Sequence, residues 1–223
     1  MVQTMLEVIA LDAADAEAAQ AGGAHRLELV ADMASDGLTP PPSVLTSVLA
    51  ATDLPVRVML RDAEGFGPGS VDGLRREAAA LRELGATEFV LGFLTPEGEV
   101  DEKTVTAVLA ELDGCRWTFH RALDNSADPL AAWSVVAGLG CDTVLASGSP
   151  KGVADGLPVL HELIARQAVD GLRVLVGGGL RAAQVGPLKE AGATGFHVGS
   201  AVRPSGWSGP VSAEAVRTWA DLV

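Results

Sequence analysis

The residues Gly85-Ala86-Thr87, followed by the apolar run Glu88–Leu94, show the pattern on which the fold prediction rests. A helical segment ends at the glycine, one or two polar residues follow, and a short apolar run comes next. Glycine ends helices because it adopts a left-handed conformation that other residues resist. The apolar run is too short for a helix, so it predicts a buried parallel strand.

The same pattern returns three more times along the chain. It occurs at Gly22-Gly23-Ala24-His25 before Arg26–Val30, at Gly140-Cys141-Asp142 before Thr143–Ser147, and at Gly192-Ala193-Thr194 before Gly195–Ser200. Four further apolar runs fill the gaps, and they predict strands near Leu6–Ala10, Val56–Leu60, Arg116–His120 and Arg173–Val176. The sequence therefore predicts eight strands.

Amphipathic segments between these strands predict helices at Ala13–Ala21, Val71–Leu84, Asp101–Leu112, Pro129–Leu139, Leu157–Gln167, Ala182–Ala191 and Ser212–Leu222. Strands that alternate with helices predict an α/β chain with a parallel sheet inside its helices. Eight such units in 223 residues favour a compact (β/α)8 (TIM) barrel over an open doubly wound sheet. No linker interrupts the alternation, so we predict a single domain over residues 1–223.

Composition narrows the class of protein. With 48% hydrophobic residues the chain can bury a large core, and its net charge of −13 repels nucleic acid and anionic membranes, so neither is an expected partner. No apolar run reaches the ~18–20 residues of a membrane span, and the N-terminus lacks the basic region of a secretory signal. Two cysteines make no disulfide framework. We therefore expect a cytoplasmic protein.

The alternation of side chains along the predicted strands places several ionisable groups inside the barrel. The two leucines of Leu27-Glu28-Leu29 are expected on the outward side, which faces the helices, so Glu28 between them points inward. The same parity predicts that Glu7, His120 and His197 point inward and that Arg61 lies at the mouth. Two interpretations remain open: a structural network of Glu, Arg and satisfied histidines, or a ligand-binding or catalytic site.

Two glycine-rich strand ends predict an anion site. Gly177-Gly178-Gly179 follows the seventh strand, and Gly199-Ser200 follows the eighth. Loops after these two strands commonly hold phosphate in (β/α)8 enzymes, because glycine lets backbone N–H groups approach the anion. The alternative is ordinary turn geometry. The scarcity of lysine disfavours Schiff-base chemistry, since none of the three lysines is on a predicted strand.

Many ordered motifs resemble the CutC family. They are Leu6-Glu7-Val8, Ala19–Leu29, Asp36–Pro40, Val58-Met59-Leu60-Arg61, Gly92–Thr95, Gly98–Asp101, Thr118-Phe119-His120-Arg121-Ala122-Leu123-Asp124, Ser147-Gly148, Gly177–Gly179 and Phe196-His197. The resemblance implies a cytoplasmic (β/α)8 barrel, often a homodimer, with a role in copper homeostasis. It places the shared mouth residues, our predicted catalytic set, at Glu7, Glu28, Arg61, His120, Arg121, Asp124 and His197. Asp124 is alternatively a cap of the next helix.

One departure bears on the cofactor. Many family members have a cysteine after the second-strand Glu-Leu, a soft ligand for Cu(I), but this chain has Val30 there. Cys115 and Cys141 precede the fifth and sixth strands and are expected at the opposite face of the barrel. Direct copper ligation is therefore doubtful, and the metal ligands stay unassigned. Copper, or a harder divalent ion held by His120, His197 and a glutamate, is the candidate cofactor.

Three functions remain open on the sequence alone. The first is copper homeostasis, implied by the resemblance, with a copper ion as the partner. The second is an enzyme of isomerase or lyase type that acts on a small phosphorylated or carboxylated metabolite, with Arg61 holding an anionic group. The third is a ligand sensor or scaffold that performs no reaction.

Overall fold

The computed structural model describes residues 4–223 and contains a closed barrel of eight parallel strands. Each strand pairs with its neighbour in chain order, and the eighth pairs with the first. The strands are β1 (Met5–Ala10), β2 (Arg26–Leu29), β3 (Val56–Met59), β4 (Glu88–Leu91), β5 (Arg116–Phe119), β6 (Thr143–Ala146), β7 (Arg173–Val176) and β8 (Gly195–Val198). The predicted (β/α)8 barrel is confirmed.

Within residues 4–223, eight α-helices surround this barrel. They are α1 (Ala13–Gly22), α2 (Pro42–Ala51), α3 (Val71–Glu83), α4 (Glu102–Leu109), α5 (Pro129–Gly138), α6 (Val153–Asp170), α7 (Ala182–Glu190) and α8 (Ala213–Ala220). The predicted cap of α8 is present, because the Ser212 side chain accepts a hydrogen bond from the Ala215 N–H. No helix in this part of the chain combines the length and apolar character that crossing a bilayer requires.

Two helices differ from the sequence prediction. Helix α2 was not predicted, because the prolines at its start read as part of a long loop; Pro42 is its first residue, where a missing N–H costs nothing. Helix α6 begins at Val153, four residues before the predicted Leu157, and contains Pro158. Proline lacks the N–H of a continuous helix, which makes this start hard to recognise from sequence.

The repeated glycines end helices or turns as predicted. Gly23, Gly85, Gly140 and Gly192 all have positive φ, between 78° and 103°. The N–H of Gly23 returns to the carbonyls of Ala19 and Gln20 and so closes the end of α1. This chain reversal brings the following residues directly into the next strand.

The barrel has an apolar outside and a mixed inside. Leu27, Leu29, Phe119 and Phe196 are fully buried among the helix side chains, as the predicted parity requires. Inside the barrel, Ile9, Val30, Met59 and Val90 form one small apolar cluster, and Met5, Leu145 and Leu175 form another. Charged side chains occupy the rest of the interior, and they define the candidate site.

Candidate functional site

A cavity of about 430 Å³ opens at the carboxyl-terminal end of the barrel. Residues that follow the strand ends line it, which is where (β/α)8 enzymes bind their substrates. Nine of the twelve predicted site residues line this cavity: Glu28, Arg61, His120, Arg121, Gly178, Gly179, His197, Gly199 and Ser200. Glu7, Asp124 and Gly177 are not among the lining residues.

Glu7 forms an ion-paired layer beneath the cavity. Its carboxylate pairs with Arg26, and its Oε1 atom accepts a hydrogen bond from His197 Nδ1 at 2.8 Å. Burial opposes its ionisation, but Arg26 and His197 outweigh that effect and lower the pKa of Glu7 to about 2. Glu7 is therefore ionised at neutral pH and fixes the orientation of the His197 ring.

Glu28 is in a different state from Glu7. It is 3% exposed, and its Oε1 atom has no hydrogen-bond partner in the part of the chain that the structure describes. Its Oε2 atom lies 3.7 Å from His197 Nε2. Burial, aided by the charge of Glu7, raises the pKa of Glu28 to about 7, against an opposing effect of His197. Near neutral pH this carboxyl can release or accept a proton.

His197 lies between the two carboxyls. Burial disfavours its charged form, but Glu28 and Glu7 outweigh that effect and raise the pKa of its imidazole. The three side chains titrate as one unit, so a proton added to Glu28 changes the charge balance of the whole group.

His120 is a neutral imidazole at the end of β5. Its Nδ1 atom accepts a hydrogen bond from the Ala122 N–H at 3.1 Å, while its Nε2 atom is buried without a partner among residues 4–223. Burial and the charge of Arg61 lower the pKa of His120 to about 3. Gly92 makes room for the ring, because a Cβ there would lie 2.7 Å from Nδ1.

Arg61 is a buried cation at the cavity wall. Its guanidinium donates to the carbonyls of Gly65, Ser35 and Gly37, and its centre lies 5.5 Å from the Phe66 ring centroid. Among the described residues, no carboxylate forms a salt bridge with it. The carbonyls fix the guanidinium in place, and the charges of Asp36 and Glu64 act on it from beyond salt-bridge distance.

Arg121 and Asp124 lie at the rim of the cavity. Asp124 is fully buried and accepts hydrogen bonds from the N–H groups of Ser147 and Gly148 and from Arg121 Nε. It does not cap α5, because Asp128 does that. With its oxygens occupied in this way, Asp124 anchors the loop after β6 and holds Arg121, which itself lines the cavity.

The glycine-rich ends of the neighbouring strands β7 and β8 lie side by side at the cavity. Gly178 and Gly179 have positive φ, and the Arg121 guanidinium packs so close to Gly178 that a Cβ there would lie 2.7 Å from Nε. None of the hydrogen bonds formed within residues 4–223 uses the N–H of Gly178, Gly179 or Ser200.

Gly177 instead donates to the Ala146 carbonyl and leaves space for His197. Two of the three predicted glycines of this run therefore reach the site.

Sequence reasoning missed two arginines inside the barrel. Arg26 pairs with Glu7, and fully buried Arg57 pairs with Glu88 at 2.9 Å and Asp142 at 2.6 Å. Both positions share the parity of Glu28 and its neighbours, so the alternation that identified Glu28 also marks them. The interpretation as a structural network describes this lower layer, whereas Glu28 and His120 keep unpartnered atoms in the cavity.

The donors available for copper do not fit a Cu(I) site. Cys141 is buried, hydrogen-bonded to the Thr143 carbonyl at 2.9 Å, and burial raises the pKa of its thiol to about 12, which disfavours the thiolate that binds metals. His120 accepts the Ala122 N–H at Nδ1 and holds its proton on Nε2, so neither nitrogen offers a free lone pair, and His197 Nδ1 is bonded to Glu7. Among residues 4–223, no group of three or more His, Cys, Asp or Glu side chains could hold a metal ion.

Comparison with known proteins agrees with this architecture. The CutC family model matches residues 4–202. The family protein CutC of Xanthomonas campestris pv. campestris (strain 8004) is 35% identical over 213 residues, covering 94% of this chain and 85% of the relative. The family protein CutC of Klebsiella pneumoniae (strain 342) is 35% identical over 196 residues, covering 86% of this chain and 78% of the relative.

Two solved structures share the fold. The copper homeostasis protein assigned as CutC from Streptococcus agalactiae has a TM-score of 0.80 at 22% identity and covers 88% of this chain and 98% of its own. Phosphoribosyl anthranilate isomerase from Thermus thermophilus has a TM-score of 0.64 at 18% identity. The match covers 98% of this chain and 97% of the isomerase. At these identities they show the barrel alone. The family match and the curated relatives confirm the resemblance, and this chain belongs to the CutC family.

Proposed function

We propose that this chain takes part in copper homeostasis by binding a small anionic metabolite at the mouth of its barrel, without holding copper itself. The copper role follows from family membership and from the name of the Streptococcus agalactiae structure. The donor chemistry of the described residues argues against direct ligation. Buried Cys141 and the oriented histidines are not available as ligands, and partly exposed Cys115 belongs to no group of three or more His, Cys, Asp or Glu side chains that could hold a metal ion.

The observation that carries this proposal is the Arg61 guanidinium in the cavity wall. A buried cation without a paired carboxylate is costly, and an anionic ligand would offset that cost. Arg121 adds a second positive charge at the rim, and the free N–H groups of Gly178 and Gly179 add donors beside it. The cavity volume of about 430 Å³ suits a small metabolite.

A thermal-shift titration tests the binding part, with inorganic phosphate and ribose 5-phosphate as probes. A ligand present at 100 times its Kd stabilises a protein by about 2.7 kcal/mol, which is a measurable rise in Tm. We expect this rise for the unmodified chain and its loss in Arg61→Met/Arg121→Met, which removes both positive charges that line the cavity. Arg76 is exposed on α3, so Arg76→Met is the matched control and should keep the rise.

A competition titration with a chromophoric Cu(I) chelator tests the copper part, on reduced, metal-free protein. We expect no binding that competes with the chelator. Tight binding of one ion per chain would overturn indirect action. Its loss in Cys115→Ser/Cys141→Ser would then place the ion at the thiols, and its loss in Met33→Leu/Met59→Leu would place it at the two methionines lining the cavity.

Complementation of a copper-sensitive host tests whether anion binding is needed for the copper role. In a copper-sensitive host that lacks its own copy, we expect the unmodified chain and the double cysteine variant to restore growth in copper, while Arg61→Met does not. Growth restored by Arg61→Met but not by the cysteine variant would contradict the proposal.

We also infer a cytoplasmic location and a homodimer, both from family membership. Fractionation of cells that express the chain tests the location. Light scattering on the purified chain tests the homodimer, and a monomer mass at micromolar concentration would reject it.

A further inference from the structure

The cavity contains a hydrogen-bond donor whose direction is fixed by the backbone. Because the Ala122 N–H donates to His120 Nδ1, the proton of the neutral ring must be on Nε2. That Nε2–H is buried and has no acceptor among the described residues. Burial and Arg61 keep this imidazole uncharged, so the ring, which lines the cavity, carries a single N–H.

The cavity also contains a proton acceptor. Glu28 lines it, and Glu28 Oε1 is the second buried side-chain atom there without a partner in residues 4–223. Its other oxygen faces His197, which Glu7 holds in position. A carboxyl whose pKa is about 7 is half ionised at neutral pH, so it can both take and return a proton.

We propose that this site transfers a proton at a carbon next to a carbonyl group in a small phosphorylated hydroxy-aldehyde or hydroxy-ketone. Glu28 Oε1 is the base, and His120 Nε2–H donates a hydrogen bond to the carbonyl oxygen. The inference rests on the anion site proposed above, and it adds a reaction to it.

The step balances without a further reactant. Glu28 takes the proton from the carbon, and the electron pair of the broken C–H bond forms a C=C bond to the carbonyl carbon. The carbonyl π electrons move to oxygen, and His120 Nε2–H stabilises the resulting oxyanion. Protonated Glu28 then returns its proton to the same carbon or to the neighbouring one. In the second case the hydroxyl proton passes to the former carbonyl oxygen, and the product is the isomer.

The other wall of the cavity indicates where the phosphate group of the proposed substrate binds. The N–H groups of Gly178, Gly179 and Ser200 are free of protein acceptors, and Arg121 packs against Gly178. Several N–H donors beside a guanidinium suit the oxygens of a phosphate. With the phosphate there, a three- to five-carbon chain can extend toward Glu28, His120 and Arg61, which all line the same cavity.

Hydrogen exchange tests the proposal directly. The full chain is incubated in D2O with dihydroxyacetone phosphate or ribose 5-phosphate, and proton NMR follows the loss of the signal from the hydrogen next to the carbonyl. We expect exchange at least 100 times above the protein-free rate for one of these probes. Glu28→Gln should abolish that excess, and His120→Gln should reduce it 10- to 100-fold.

Two controls separate the possible outcomes. Circular dichroism reports whether Glu28→Gln and His120→Gln fold, and the thermal shift with phosphate reports whether they still bind. Probe binding without exchange overturns the proton transfer and leaves the anion site standing, whereas absence of binding overturns both. Exchange at the unmodified rate in folded Glu28→Gln also overturns the assignment of the base.

Discussion

The Nε2 atom of His197 lies 3.7 Å from Oε2 of Glu28, and on its other side the same ring donates to Glu7 at 2.8 Å. One imidazole therefore separates two buried carboxyls whose environments differ. Arg26 pairs with Glu7 and keeps it ionised, whereas Glu28 has no arginine among its salt-bridge partners in the described chain. Paired carboxyls with separated pKa values are the arrangement from which acid–base sites are built.

The pH dependence of hydrogen exchange should report the ionisation of Glu28. Burial raises its pKa to about 7, and the charged groups that face it are Glu7, Arg26, Arg57 and His197. Only the ionised carboxylate takes a proton, so the exchange rate should rise through pH 7 and level off above it. In His197→Asn the cation that lowers this pKa is lost, so the midpoint should move upward. A pH-independent rate between 5.5 and 8.5 would contradict the role of Glu28 as base.

The same carboxyl should make the protein less stable as the pH rises. The pKa of Glu28 is about 7 in the folded chain and 4.5 is its ordinary value, so the unfolded state loses this proton first and stability falls between those values. At about 1.4 kcal/mol per pH unit, the loss of folding stability between these two pH values is about 3 kcal/mol. Urea unfolding should show Glu28→Gln to be more stable than the unmodified chain by about 2–3 kcal/mol at pH 8 and by less than about 1 kcal/mol at pH 5. Equal stabilities at pH 8 would contradict the shift.

Glu7 should change the folding stability with pH in the opposite direction. Its pKa is about 2 in the folded chain, below its ordinary 4.5, so its contribution is present above pH 4.5 and is lost as the pH falls toward 2. Arg26→Met removes the main partner and leaves the buried carboxylate with His197 alone. Breaking a buried ion pair in this way costs about 3–5 kcal/mol. Urea unfolding at pH 7 measures this loss. The exposed control Arg76→Met should stay within about 0.5 kcal/mol of the unmodified chain, and a similarly small effect of Arg26→Met would show that Glu7 does not depend on this pair.

Much of the barrel and part of the site could be predicted from sequence, because both depend on short-range alternation. The two leucines beside Glu28 determine which way it points, and the glycines that follow α1, α3, α5 and α7 determine where the next strand begins. The same reasoning extends to Arg26 and Arg57, whose parity is identical, but an arginine at the first or second position of a strand reads as a solvated end. Their burial depends on partners 19 to 85 residues away, which no local pattern reveals.

The roles of the predicted residues were harder to separate. His120 and Asp124 lie in one motif, yet His120 keeps a free Nε2 in the cavity and Asp124 uses its oxygens on Ser147 and Gly148. This difference depends on how the loop after β6 packs against the loop after β5. Sequence identifies the polar cluster, but only the folded chain shows which of its atoms are already bonded.

The two thiols should differ in reactivity. Cys141 is buried and burial raises the pKa of its thiol to about 12, whereas Cys115 is partly exposed. Since the thiolate is the reactive species, iodoacetamide at pH 8 should label Cys115 in the native protein and leave Cys141 unmodified. Mass spectrometry of tryptic peptides measures this, and Cys115→Ser is the control that should remain unlabelled until urea is added. Rapid labelling of native Cys141 would reopen its candidacy as a copper ligand.

Gly92→Ala should displace the His120 ring without replacing any ionisable residue. A Cβ at this position would lie 2.7 Å from His120 Nδ1 and 3.3 Å from Ala122 Cβ, so the imidazole must turn away and lose its hydrogen bond from the Ala122 N–H. We expect hydrogen exchange to fall 10- to 100-fold, as in His120→Gln, while the phosphate-induced rise in Tm is kept because the glycine loops are on the far wall. Gly114→Ala provides no such clash, since nothing lies within 4 Å of a Cβ there, although its positive φ adds modest strain; it should leave exchange unchanged. If Gly92→Ala folds and exchanges at the unmodified rate, the direction of the His120 N–H does not matter for the reaction.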